Sequence, residues 1–387
     1  MNLQIEWWVF GVSLAVPLYA FVGYPLILRV LAAFIRRPLR LEEPAEWPSI
    51  TYMLPAYNEE ASIAAALDGI LASDYPKDRV QIMVGSDCSS DRTDEIVRGY
   101  ADRGVELVPM PERSGKTATE NAMRALRRGD IIVHVDASVR IEPSATKLLV
   151  MAFTDPQVGV ASSRDISTAG AGETSDTGES SYVGYEMWLR RLETQVYGIT
   201  GVSGSFFANR RELHTTLVPV ALSRDFAAAM VGRRQGLRAV SVDKAICYVP
   251  RNPSLRREYR RKVRTMARGL ETLFYHRDLM NPFRYGLFAW MLISHKLVRW
   301  LVPWALVTAG LSLAVAALGS SLADEFLGAG FVTIAAAWLG WVWPEDRRRP
   351  KVLGLPAYVV SGVVAGLHAW TKAMRGELNP IWEPTRR

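Results

Sequence analysis

The run Ile131–Val135, IIVHV, constrains the fold more than any other stretch of the chain. It is short, β-favouring and preceded by Gly129-Asp130, the pattern of a strand buried within a sheet. It delivers Asp136 at its C-terminal end, followed by Ala137 and Ser138. In an open α/β sheet, ligands sit outside the carboxyl ends of the strands. A carboxylate there, close to a hydroxyl, is placed to hold a divalent cation on a diphosphate. The same residue could equally cap a helix or a turn. Upstream, residues 49–54, 80–86 and 105–110 read as further strands, and 59–73, 92–102 and 117–128 as helices. Strands alternating with helices imply parallel βαβ units and place the segment in the α/β class.

Each strand ends in a polar cluster. Pro55-Ala56-Tyr57-Asn58-Glu59-Glu60 follows the first, and Asp87-Cys88-Ser89-Ser90-Asp91-Arg92-Thr93 the second. Ser114-Gly115-Lys116 follows the third and Asp136-Ala137-Ser138 the fourth. One sheet edge therefore gathers carboxylates, an ammonium and hydroxyls, the groups that a nucleotide diphosphate requires. Each cluster also has a plainer reading. SDRTDEI is a good helix N-terminus, with Ser90 or Asp91 as cap. Ser-Gly-Lys-Thr is not a P-loop, because Met110 stands where the first glycine is needed. Asp225 in Leu-Ser-Arg-Asp-Phe can simply cap the helix that follows.

The flanks are apolar. Residues 9–28 carry no charge and are long enough to cross a bilayer. Glu6 and the lack of Lys or Arg before that run suit an uncleaved anchor. Arg29, Arg36, Arg37 and Arg40 follow it, so the positive-inside rule puts what comes next in the cytoplasm. Residues 290–318 are apolar but interrupted by His295, Lys296 and Arg299. We expect an interfacial helix up to about Lys296 and a span from about Leu297. Residues 326–343 and 353–370 are further apolar runs, with the basic marker DRRRPK (346–351) between them. Whether the last run crosses or lies in the interface is left open. The Gly/Ser/Thr-rich stretch 169–181 is expected to be a mobile loop. Residues 251–268 are densely basic. The expected organisation is an anchor over 1–41, a cytoplasmic catalytic domain over 49–250, basic interfacial helices over 251–297 and membrane helices over 298–387. The net charge of +7 and twelve Trp fit a membrane surface and phosphorylated substrates, and no nucleic-acid partner is expected. Cys88 and Cys247 are too few and too far apart for a disulfide framework or a zinc site.

Together, the order of these pieces resembles family 2 glycosyltransferases of the membrane-integrated type, relatives of cellulose and hyaluronan synthases. The resemblance covers about residues 49–270. It implies a GT-A-type, Rossmann-like mixed sheet with a helical transmembrane region. It implies donor contacts at Pro55, Tyr57, Glu59, Asp87, Lys116 and Asp136, with a further Asp at Asp91 and an Asn at Asn121. Asp136 matches the first Asp of the family's Asp-x-Asp metal motif, with Ser138 in the second place. VSGSFFANRRE looks like the acceptor-side segment, and acceptor contacts are expected at Gly204, Ser205 and Arg224. Asp225 matches the catalytic base. Arg261 and Arg264 lie where synthases carry Gln-x-x-Arg-Trp. Three departures stand out: Ser138 for the second Asp, Arg224 for the Glu before the base, and Arg261 with Thr265 for Gln and Trp. The expected function is an inverting, membrane-bound glycosyltransferase with a nucleotide-sugar donor, UDP-linked, and Mg²⁺ or Mn²⁺. Its acceptor would be lipid-linked or a growing polysaccharide, at the inner (plasma) membrane among lipids, with room for a homo-oligomer. The departures support one alternative, a non-catalytic nucleotide-sugar-binding subunit of a polysaccharide export assembly.

Overall fold

The computed structural model describes residues 4–168, 177–214, 217–250, 254–344, 347 and 349–377. The expected loop at 169–181 lies outside the described residues up to 176, as do Arg251, Asp346 and Arg348. The strands are β1 (Ile50–Ala56), β2 (Val80–Ser86), β3 (Val105–Pro109), β4 (Ile131–Val135), β5 (Arg140–Ile141), β6 (Val158–Thr168), β7 (Phe206–Arg210) and β8 (Arg238–Pro250). The helices are α1 (Gln4–Leu18), α2 (Tyr24–Ile35), α3 (Ile63–Leu71), α4 (Thr93–Arg98), α5 (Lys116–Met123), α6 (Ala145–Met151) and α7 (Thr177–Val196). They continue with α8 (Arg224–Arg234), α9 (Leu255–Tyr275), α10 (Pro282–Tyr285), α11 (Leu287–Leu292), α12 (Arg299–Ala316), α13 (Ser321–Val342) and α14 (Lys351–Arg375).

The strands form one sheet in the order β3-β2-β1-β4-β7-β6-β8-β5. β1, β2, β3 and β4 are mutually parallel, whereas β7 runs antiparallel to both β4 and β6. β1 and β4 are buried along their whole length, which explains their unbroken apolar character. The α/β alternation is therefore what these segments fold into, and the carboxyl ends of four parallel strands share one edge.

Helix α5 stops at Met123, short of the expected Arg128. The backbone N–H of Arg128 donates to Gln81 Oε1 at 2.8 Å and that of Gly129 to Thr51 Oγ1 at 2.8 Å. The chain is crossing the start of β1 there. A Cβ at residue 129 would stand 2.4 Å from the β1 backbone, so only glycine fits.

Among the described residues, four helical runs are long and apolar enough to cross a bilayer: Gln4–Ile35, Leu287–Ala316, Ser321–Val342 and Lys351–Arg375. The expected break near Lys296 is absent, and Leu287–Ala316 is continuous through a π turn at Ile293–Val298. The polar residues there are paired inside the protein. His295 Nδ1 lies 2.6 Å from Glu193 and Nε2 2.9 Å from Glu186, while Arg299 donates to Glu186 at 2.8 Å. Both glutamates come from α7, and Tyr24 of α2 also donates to Glu193, at 2.6 Å. Charges satisfied in this way leave the helix no reason to break. Below the sheet, Phe226, Leu273, Phe288 and Leu292 form a common apolar cluster that seats the α/β domain on α9 and α11. α14 lies along α9, with Lys262 Nζ 3.5 Å from the Tyr358 ring centroid.

Candidate active site

The loops after β1 and β2 are laced together. Asn58 N–H donates to Ser89 Oγ at 3.2 Å, Ser90 N–H to Asn58 Oδ1 at 2.8 Å, and Glu59 N–H to Thr93 Oγ1 at 2.8 Å. Asn58 (φ +51°) and Cys88 (φ +60°) both occupy the left-handed region, which non-glycine residues adopt when their surroundings over-determine it. Asp91 accepts from Thr93 N–H at 2.9 Å, just ahead of α4. Although burial opposes it, these Thr93 hydrogen bonds hold its pKa below the usual carboxylate value.

Asp87 is buried, and its carboxylate accepts the N–H groups of Ser114 at 2.7 Å and Gly115 at 2.9 Å. It thereby shapes the turn that opens α5, where Gly115 sits at φ +89°. The first residue of that helix is Lys116. Its ammonium is paired with Asp136 and donates to the Gly204 carbonyl at 3.3 Å. Roughly a quarter of the Lys116 side chain and a third of that of Asp136 reach solvent, so both face an open cleft (26% and 35%). Burial would lower the Lys116 pKa, but Asp136 and Glu120 outweigh it and raise the value. The Asp136 pKa is also raised, because burial, with Glu120 and Asp225 nearby, outweighs Lys116.

Asp225 enters the same cleft from the first turn of α8, where it accepts from the Ser223 hydroxyl. A Cβ built on Gly204 would stand 2.9 Å from Asp225 Oδ2. Asp87, Lys116, Asp136, Gly204 and Asp225 are thus linked through direct neighbours, although they come from five separate segments of the chain. Ser205 joins them: its carbonyl accepts the Asp136 N–H at 2.9 Å. At the rim, the Arg113 guanidinium lies 3.9 Å from the centroid of the Tyr57 ring.

Several expected site residues are placed otherwise. Arg224, expected at the acceptor, is buried. It is 6% exposed, pairs with Glu120 at 2.7 Å and donates to Asn121 Oδ1 at 2.5 Å, beneath the cleft. Arg261, expected as a donor contact, donates two hydrogen bonds to Glu258 on its own helix, at 2.7 and 2.8 Å. Pro55 is buried within β1. The Glu59 carboxylate accepts from Ser62 at 2.5 Å. Arg264 is half-buried on α9, one turn before Arg268. Arg268 donates to Thr117 Oγ1 at 3.0 Å and to the Leu222 carbonyl at 2.5 Å, bracing the segment that carries Asp225.

Residues 51–217 match the family model described as Glycosyl transferase family 2. Over these residues, less than half of the chain, the sequence is similar to that family. The chain is similar to a mannosyltransferase from Pyrobaculum calidifontis, solved in complex with GDP-Man and Mn²⁺. That likeness has a TM-score of 0.72 at 23% identity, over 95% of this chain and 99% of the other. It shows a shared GT-A fold, flanking helices included. A probable glycosyltransferase of Bacillus subtilis is 33% identical over 121 residues, 30% of this chain and 29% of the relative. A beta-monoglucosyldiacylglycerol synthase of Synechocystis is 26% identical over 164 residues, 41% of this chain and 34% of the relative. The chain spans about a third of the length of these curated relatives.

The α/β domain rests on a buried polar floor that motif reading missed. Glu120 lies 3.0 Å from His134 Nδ1, and His134 Nε2 lies 2.8 Å from Asn209 Oδ1. The His134 ring stacks on Phe207 with centroids 4.3 Å apart. Burial opposes ionisation of Glu120, yet Arg224, His134 and Lys116 bring its pKa down to about 2. Burial pushes the His134 pKa down. The available signal was a histidine inside an otherwise apolar buried strand.

Among the described residues no three His, Cys, Asp or Glu side chains cluster as a metal site. Asp136, open to the cleft, and Ser138, two residues on, fit an ion that also takes diphosphate oxygens, the usual arrangement for Mg²⁺.

Proposed function

We propose that this chain is a membrane-bound, inverting glycosyltransferase that moves a sugar from a nucleotide-sugar, UDP-linked, to a lipid-borne or growing glycan acceptor. The observation that carries the reading is the junction of Lys116, Asp136, Gly204 and Asp225 in one cleft. The nucleotide would lie toward Tyr57 and Asp87, and the diphosphate beside Lys116 and Asp136. Lys116 offsets the charge of the leaving diphosphate through a charge-assisted hydrogen bond. Asp136 and Ser138 would hold Mg²⁺ or Mn²⁺, which when bound supplies further charge to the leaving group. Asp225 takes the proton of the acceptor hydroxyl as its oxygen attacks the anomeric carbon from the face opposite the diphosphate. A base so placed contributes roughly 10²–10⁴-fold. Thr265 stands where polymerising relatives would carry Trp, which favours a glycolipid or short glycan. The four long apolar runs and the arginines after the first support a plasma-membrane setting with the domain in the cytoplasm.

The test is nucleotide release by detergent-purified protein given a panel of UDP- and GDP-sugars with and without Mg²⁺ or Mn²⁺. Asp225→Asn is expected to abolish release while leaving donor binding intact. Near-wild-type turnover in that variant would overturn the base assignment. Saturable donor binding without release in the wild type would favour the non-catalytic subunit.

A further inference from the structure

A cavity of about 500 Å³ lies where the first helical run ends, between residues 36–41, the end of α7 and the 241–244 segment of β8. None of the cleft residues Asp87, Lys116, Asp136 or Asp225 borders it. Arg36, Arg37, Arg191 and Lys244 do. Among its described lining residues Asp243 is the one carboxylate, and it lies 3.8 Å from Arg191. The site is therefore strongly cationic. Arg37 is held in place: its N–H donates to the Gln195 carbonyl at 2.9 Å, and its guanidinium lies 5.4 Å from the Tyr197 ring centroid.

A second observation points to a ligand. Ser241 borders the cavity and is 5% exposed; its Oγ is buried and has no hydrogen-bond partner among the described residues. Its N–H is already used, donating to Thr194 Oγ1 at 2.9 Å. Buried hydroxyls are nearly always completed by a partner. Thr194 and Gln195 add polar atoms to the wall, and Ala32, Leu39 and Val242 are among its apolar residues. Ala32 lies in the last turn of a run long enough to cross a bilayer, so with that run in a membrane the cavity would stand at headgroup level.

We infer that this cavity binds the phosphodiester headgroup of an anionic phospholipid. Arginine forks match phosphate oxygens and shed water more readily than ammonium groups do. Basic pockets beside membrane helices are suited to such headgroups. The Ser241 hydroxyl would donate to a phosphate or glycerol oxygen, and the apolar wall would meet the start of an acyl chain. The site also adjoins the acceptor loop. Ser241 pairs with Ser162 across β6 and β8, and Ser162 Oγ accepts from the N–H of Ser203, the residue before Gly204, at 2.9 Å.

The test uses the full chain in a non-ionic detergent, with bound phosphatidylglycerol and phosphatidylcholine counted by native mass spectrometry across a lipid titration. Wild type is expected to hold phosphatidylglycerol saturably and at least tenfold more tightly than phosphatidylcholine. The double variant Arg36→Gln/Lys244→Gln, altering exposed side chains, should weaken that binding about tenfold to thirtyfold, from the loss of two charges near the surface. Ser241→Ala, which keeps the fold, should weaken it about threefold or more, with nucleotide binding unchanged in both. Equal binding of the two lipids, or unaltered binding by both variants, would overturn the proposal. So would displacement of phosphatidylglycerol by millimolar inorganic phosphate, which would mark a site for a free anion.

Discussion

Gly204 stands directly against Asp225: a Cβ at residue 204 would fall 2.9 Å from Asp225 Oδ2. The absence of a side chain is therefore what lets the carboxylate occupy its position beside the Lys116–Asp136 pair. Gly204→Ala should push the Asp225 carboxylate aside by a few tenths of an ångström or more. Misplacing a reacting group on that scale costs up to about a hundredfold. We expect turnover to fall tenfold to a hundredfold with donor KM little changed. Steady-state kinetics at saturating acceptor would show it, and an unchanged turnover would mean that Asp225 is not the base.

Lys116 and Asp136 should fail in different ways. Lys116→Gln removes a cation that faces the proposed diphosphate, so donor KM should rise at least tenfold. Asp136→Asn removes the carboxylate proposed to share a metal with the donor, so metal should no longer tighten donor binding. Titrating a UDP-sugar calorimetrically, with and without Mn²⁺, separates the two. If Asp136→Asn keeps the full metal effect, the ion is held elsewhere.

Arg224 should matter for stability rather than for the acceptor. It is buried with Glu120 at 2.7 Å, and removing one partner of a buried pair leaves the other charge uncompensated, at about 3–5 kcal/mol. Arg224→Met should lower the denaturation midpoint sharply, with acceptor KM unchanged in the folded fraction. Replacing Glu120 as well, as in Arg224→Met/Glu120→Leu, should recover part of the loss. A variant that is fully stable but has a raised acceptor KM would restore Arg224 to the acceptor side.

These residues also mark how far the sequence could be read. Asp87, Lys116 and Asp136 could be placed at one sheet edge because strand ends deliver side chains there whatever the packing around them; Asp225, in the first turn of α8, came only from the family resemblance. Arg224 was not, since its partner Glu120 lies far upstream on α5, and only the fold brings the two together. The run Leu287–Ala316 was misjudged for the same reason. His295, Lys296 and Arg299 look like a break until Glu186 and Glu193 of α7 are seen beside them. Arg261 could have been read more closely, because Glu258 lies three residues before it, the spacing of a helical ion pair. Long-range pairing of charge left no local trace; strand-end chemistry did.

Stability should fall on acidification in two separate windows. His276 is 3% exposed, and its Nδ1 has no hydrogen-bond partner among the described residues. Burial, reinforced by Arg234, pushes its pKa down to about 4 against the opposing pull of Asp278. An unfolded histidine titrates near about 6.5. Between those values the unfolded chain binds a proton that the folded chain does not, so stability rises with pH and is lost as pH falls from about 6.5 to about 4. Below that, both states hold the proton and His276 adds no further slope. Glu120 acts lower. Its folded pKa of about 2 lies under an unfolded value near about 4.3, so its contribution is present above the latter and drains away toward pH 2. Denaturation midpoints from pH 8 to pH 3, in detergent at constant ionic strength, should therefore drop in both intervals. His276→Asn should flatten the upper interval and leave the lower one intact. If it leaves the upper slope unchanged, the proton responsible binds elsewhere, with the buried His134 the next residue to replace.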